Sequence, residues 1–131
     1  MDRSSRLNRT SGSRRPWLGV LLLLVAGCLS PTLPLPPPEE PDTISVSPEG
    51  TWEVSGSCIE GAEVVVLNEA TGQGAVFVDL EHRGRYAVTL EGDPCDVIVI
   101  SQSRGSEESG ETRALLRPVE GGVEVDPAAC E

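Results

Sequence analysis

Gly50-Thr51-Trp52-Glu53-Val54-Ser55-Gly56-Ser57 and Gly61-Ala62-Glu63-Val64-Val65-Val66-Leu67-Asn68 decide the fold of this chain. In the first stretch Trp52 and Val54 flank Glu53, so an extended backbone puts apolar groups on one side and a charge on the other. In the second, Val64 to Leu67 form an unbroken apolar run between turn formers. A run this short suits a central strand covered on both faces and is too brief for a helix. Only Cys58-Ile59-Glu60 separates the two stretches, the length of a tight connection.

The same punctuation extends outward. Strands are predicted at 43–47, 51–57, 63–68, 74–80, 85–90, 96–102 and 112–117, with a short eighth run at 122–125. Turns fall at Pro48-Glu49-Gly50, Glu60-Gly61, Thr71-Gly72, Arg83-Gly84, Gly92-Asp93-Pro94 and the loop 104–110. No segment keeps helical spacing of apolar residues over three turns. Such evenly spaced short strands predict an all-β chain, a single seven-stranded antiparallel sandwich over 42–126 with a flexible tail at 127–131. Val97 to Ile100 form a second central run. Trp52 and Tyr86 are the expected core anchors. Val76, Val78 and Leu80 share one face, and Phe77 falls opposite them, exposed or on the second face, with burial under a loop favoured over an edge-strand contact.

Upstream, Arg3, Arg6, Arg9, Arg14 and Arg15 precede an apolar stretch from Trp17 to Gly27. That stretch is far short of the roughly 20 residues a membrane-spanning helix needs. A basic segment, a short apolar segment and small residues before a cut are the parts of a secretory signal. Val25-Ala26-Gly27-Cys28 resembles the cleavage site of bacterial lipoproteins. The resemblance implies a cleaved signal at 1–27, lipid on Cys28, and attachment to a membrane of the bacterial cell envelope. Leu29-Ser30 lacks the aspartate that in such proteins implies inner-membrane retention, so the outer membrane is expected. Ser13-Arg14-Arg15-Pro16-Trp17-Leu18 also resembles a twin-arginine export motif; the general secretory route is the alternative.

Six of the thirteen residues at 29–41 are proline. Proline cannot occupy a helix interior or an inner strand, so polyproline II is the natural conformation. Residues 28–41 are therefore read as a semi-rigid linker of about 40 Å at most, standing between the lipid and the domain. A proline-rich ligand for another module is the lesser alternative.

Beyond residue 27 the chain holds 20 acids against five arginines and no lysine, a net charge of −15. That excess argues against nucleic acid, whose phosphates need a basic footprint. Glu91, Asp93 and Asp96 raise the alternative of a calcium-stabilised adhesion-type module, although the ligand spacing of an EF-hand is missing.

The sandwich stretch carries a resemblance of its own. Residues 50–56 followed by Gly61-Ala62-Glu63-Val64-Val65-Val66, then Gly84-Arg85-Tyr86-Ala87-Val88 and a late strand at 97–103 with Gly105 and Ser109, look like bacterial Ig-like domains. The same Gly-Ala-x-Val and Gly-x-Tyr elements resemble carboxypeptidase-regulatory-like domains. Both imply an Ig-like sandwich. These motifs encode turns and core, so no site residue carries over.

With Cys28 assigned to lipid, Cys58, Cys95 and Cys130 are the disulfide candidates, and one bridge with one leftover thiol is the simplest count. Alternating strand direction puts Cys58 and Cys95 at opposite ends of a sandwich, while Cys130 can reach the start of the sixth strand. Cys95–Cys130 is favoured and Cys58–Cys95 is the alternative. Zinc needs closely spaced ligand pairs; here His82 is the only histidine, expected solvated in a turn, and no two cysteines are close.

No Gly-x-Ser-x-Gly elbow or phosphate loop is present, and nothing pairs a nucleophile with a base. The expectation is a non-catalytic binding or structural module with no cofactor. Its partner would be an envelope protein or glycan, met through loops such as 105–110 and 91–96.

Overall fold

The computed structural model describes residues 33–131. The expected signal at 1–27, Cys28 and the start of the linker lie outside the described residues. The strands are β1 (Thr43–Val46), β2 (Thr51–Ser57), β3 (Glu63–Asn68), β4 (Gly74–Val78), β5 (Arg85–Glu91), β6 (Val97–Arg104), β7 (Glu107–Glu108), β8 (Thr112–Leu115), β9 (Val119–Glu120) and β10 (Val123–Glu124). A short 3-10 helix, Pro127–Cys130, ends the chain.

Two antiparallel sheets form a sandwich. One runs β10-β9-β1-β2-β5, and the other runs β4-β3-β6-β7 with β8 also beside β6. β8 pairs with Val97 to Ile100 and β7 with Ser103 and Arg104, so they are two parts of one interrupted edge. The all-β class and the seven longer strands follow the alternation in the sequence. The two-residue pieces β7 and β9 are additions. The predicted run at 122–125 holds only β10, and β9 had no signal. Its Val119 stands opposite Ile44 of β1 and carries the late chain across to the first sheet.

The facing sides of the sheets bury Ile44, Trp52, Val54, Tyr86, Val88 and Leu90 against Val64, Val66, Ile98 and Ile100, with Leu116 at one end. Trp52 is an anchor, as expected. Its indole N–H donates to the Gly92 carbonyl at 3.0 Å, which removes the cost of burying that polar group. Val99 is buried on the outer face of β6. It stands between Leu67 of β3 and Arg113 of β8, and the Arg113–Glu69 ion pair, 2.8 Å, spans β6 above it.

β4 turns its larger apolar set outward. Val64 faces Phe77 and Val66 faces Ala75, so Phe77 and Ala75 follow the inward side of β3 and pack on the core. Val76 is 62 % exposed and Val78 44 %. Phe77 is thus an inward residue of the sandwich, not an exposed one or one under a loop. The strand also ends at Val78, two residues early, because Asp79 turns the chain.

The linker reading of 28–41 changes over its described part. Leu35, Pro38 and Pro41 are buried and the residues between them are exposed. A period of three is that of polyproline II, so one face of the predicted conformation lies against the sandwich. The Leu35 amide donates to the Glu108 carbonyl at 3.2 Å, and Leu35 forms a parallel bridge with Ser109. Gln102 Nε2 donates to the Pro36 carbonyl at 2.9 Å. Thr112 Oγ1 donates to the Pro38 carbonyl. Residues 35–41 form a strap along the β7/β8 edge rather than a free spacer. The expected tail at 127–131 is ordered too: Asp126 accepts from the Ala128 amide at 3.2 Å and caps the 3-10 helix.

Candidate functional site

The functional candidates lie at the two ends of the sandwich, and the strand directions decide which residues meet. One end gathers the turns after β2, β4 and β6. The opposite end gathers the turns after β1, β3 and β5 together with the C-terminus. The first is called the strap pole, because Leu35 sits beside Ser109 there, and the second the far pole.

At the far pole Cys95 and Cys130 form a disulfide with their Cα atoms 5.4 Å apart. The Cys95 amide donates to the Leu116 carbonyl at 2.8 Å, where the chain leaves β8. Cys95 has φ 71, a left-handed conformation costing an L-residue on the order of 1–2 kcal/mol. The bridge and that hydrogen bond hold it there.

The acidic turn expected as a calcium candidate is already committed to itself. Asp96 Oδ2 accepts from Asn68 Nδ2 at 2.8 Å and from the Asp93 amide at 2.9 Å. These hydrogen bonds, the Asn68 one first, hold the Asp96 carboxyl below its ordinary range. Asn68 is fully buried; its Oδ1 accepts from the Ala70 amide at 2.9 Å, so it joins the turns on either side of it. A Cβ on Gly92 would come within 2.5 Å of Asn68 Nδ2 and 2.6 Å of Leu116 Cδ1, so glycine is required. Asp93 and Glu91 point to solvent. Among the described residues no group of three or more His, Cys, Asp or Glu side chains is placed to hold a metal ion.

Asp79 organises the strap pole, and the sequence reading missed it. The residue is 3 % exposed. Its carboxylate accepts from the amides of Arg83 at 3.0 Å, Gly84 at 2.8 Å and Gly61 at 3.2 Å. The Arg83 bond does most to hold its carboxyl below the usual range; burial opposes, and the Gly84 and Gly61 bonds add to the lowering. One carboxylate therefore ties the turn after β2 to the turn after β4. His82, with φ 53, is exposed as expected, at the tip of the turn Asp79 closes. The available signal was an aspartate at a strand end followed by a turn glycine at Gly84.

Gln102, buried at 4 % exposure, is the second missed residue. Its Oε1 accepts from the Ile59 amide at 2.8 Å while its Nε2 holds Pro36. The strap, β6 and the turn after β2 thus meet on one side chain. A groove of about 360 Å³ between strap and turn is lined by Pro36, Pro37, Glu39, Cys58 and Ile59 beside Gln102.

Cys58 is the leftover thiol, half-buried and free. Burial first, and the nearby Asp79 charge second, push it above its ordinary value, which keeps it protonated and a poor nucleophile. Tyr86 lies against Gly56, where an added Cβ would approach its hydroxyl to 3.0 Å. That hydroxyl is buried without a hydrogen-bond partner, and burial raises its ionisation well above the ordinary tyrosine range.

Glu107 and Glu108, part of the loop singled out as acidic, form β7 instead of a free tip. Between β4 and β5, the unpaired edges of the two sheets, lies an open seam of about 650 Å³ lined by Phe77, Val78, Leu80, Glu53, Arg83 and Arg85. Its arginines are paired, Arg83 with Glu81 at 2.5 Å and Arg85 with Asp42 at 2.6 Å. The arrangement offers shape, hydrogen-bonding edges and apolar contact. Among the described residues no helix is long and apolar enough to cross a membrane. Comparison with protein-family models, with curated proteins and with solved structures returned no match.

Proposed function

We propose that this chain is a lipid-anchored protein of the bacterial cell envelope whose β-sandwich works as a non-catalytic binding or structural module. The observation that carries the reading is Val25-Ala26-Gly27-Cys28 directly after a short apolar run and a basic segment. Support comes from what the described side chains already do. Asp79, Asp96 and Gln102 are spent on joining turns, and the free thiol is held protonated. What is left for a partner is surface: unpaired strand edges, the open seam and the exposed acids of the far pole. A protein or glycan of the envelope fits such a surface better than a small substrate, which needs an enclosing pocket.

The test is the intact mass of the protein extracted from membranes. The expected result is a chain beginning at Cys28 with a lipid-sized increment, and a Cys28→Ser variant that leaves the membrane fraction. An unmodified chain starting elsewhere would overturn the anchor. Turnover in a broad hydrolase screen, abolished by changing a single Glu or Asp, would overturn the non-catalytic half.

A further inference from the structure

The seated strap shortens the tether, and a short tether restricts orientation. The parallel bridge from Leu35 to Ser109 runs the strap alongside β7 and β8, so Leu33 lies level with Glu107 and with its partner Arg104. The chain before Leu33 therefore leaves the domain at the strap pole. Five residue steps separate Cys28 from Leu33, which span at most about 18 Å. From that level to the far pole the sandwich runs the length of β6, Val97–Arg104, about 24 Å, before the far turns begin. A sandwich standing upright on its far pole would need more chain than exists. Were the whole segment from Cys28 to Asp42 free, its reach of about 50 Å would allow any orientation.

The apolar side chains of the strap pole agree with this limit. The strap pole displays two large apolar side chains, Leu33 and Leu80, each 82 % exposed. They stand on opposite sides of a four-strand row. Arg83, Arg85 and Arg104 lie at the same end beside Glu60, Glu63, Glu81, Glu107 and Glu108, with Arg83 paired to Glu81 and Arg104 to Glu107. The far pole carries Glu49, Glu69, Glu91, Asp93, Asp96 and Glu131. Acids outnumber arginines at both ends, so the apolar pair and the exit of the chain, not charge, single out the strap pole.

From this geometry we infer that the strap pole rests on the phospholipid headgroups, with Leu33 and Leu80 at the surface, and that the far pole is the face displayed to partners. The inference rests on the lipid anchor proposed above. Its test uses the lipidated full-length protein in vesicles of phosphatidylethanolamine and phosphatidylglycerol. A fluorophore is placed by Leu80→Cys or, separately, by Thr71→Cys, each in a Cys58→Ser background, and quenched by headgroup spin-labelled lipid. Quenching should be several-fold stronger at position 80 than at 71. Adding Gln102→Ala with Thr112→Val, which frees the strap, should shrink that difference. Equal quenching at both positions, or stronger quenching at 71, on protein that floats with the vesicles overturns the orientation alone. Protein that does not float with them overturns the anchor and the orientation together.

Discussion

The two side seams of the sandwich face the same problem and meet it differently. Along one, β8 and β1 would leave the gap between sheets open. The strap of Leu35, Pro38 and Pro41 lies along it, and β9 crosses to pair with β1. Along the other, β4 and β5 stay unpaired, and Val76, Val78 and Leu80 are left in solvent. A segment that cannot join a sheet as an inner strand still closes an edge, because polyproline II buries every third residue and needs only a few donors aimed at its carbonyls. Unprotected strand edges are the usual sites of association. The open seam is accordingly the adaptable side of the molecule and the strapped seam the structural one.

The strongest blow to the strapped side is loss of the bridge that returns the C-terminus to it. Cys95→Ser with Cys130→Ser opens a loop of 35 residues, and the chain-entropy estimate is about 4 kcal/mol. Urea denaturation with and without reductant should show it. Next comes Gln102→Ala, which leaves the Ile59 amide unpaired and releases Pro36. A loss of about 2 kcal/mol is expected, along with new cleavage at Glu39-Glu40 by a glutamate-specific protease. Unchanged resistance there would mean that the strap does not depend on its clamp.

The open side gives smaller effects and tests the facing of β4. Phe77→Ala should cost about 2 kcal/mol, below the range for a fully buried phenylalanine because the ring is only partly covered. Val76→Thr, one residue away on the outward face, should stay within about 0.5 kcal/mol. The reverse order in a melting series would mean that β4 is turned over. Acid titration separates the poles last. Asp79 and Asp96 both ionise more readily folded than unfolded. Their contribution is therefore complete above the unfolded carboxyl value of about 4 and is lost as pH falls through the lower folded values. Asp79→Asn should lower stability at neutral pH and flatten that acid slope.

Alternation made most of this molecule legible. Trp52 and Val54, the Val64–Leu67 run and the Val97–Ile100 run placed the strands, and strand direction separated Cys58 from the Cys95–Cys130 bridge. What escaped was set by partners distant in sequence. Proline content gave the strap its conformation, but the side chains that seat it, Gln102 and Thr112, lie more than sixty residues away. In β4 both faces are apolar, and only the register with Val64 and Val66 sends Phe77 inward. Asp79 read as a surface acid because nothing local shows that three amides from two turns converge on it. β9, two residues long, is fixed by its meeting with Ile44 and not by its own composition.

Amide hydrogen exchange at Leu35 tests the seated strap most directly. Its N–H donates to the Glu108 carbonyl, in a segment whose many prolines leave few other amides to follow. Protection at Leu35 comparable to that of the β8 amides is expected, lost on Gln102→Ala while the β2 and β5 amides stay protected. Exchange at the free-peptide rate in the unaltered protein would contradict it and return residues 28–41 to a loose spacer.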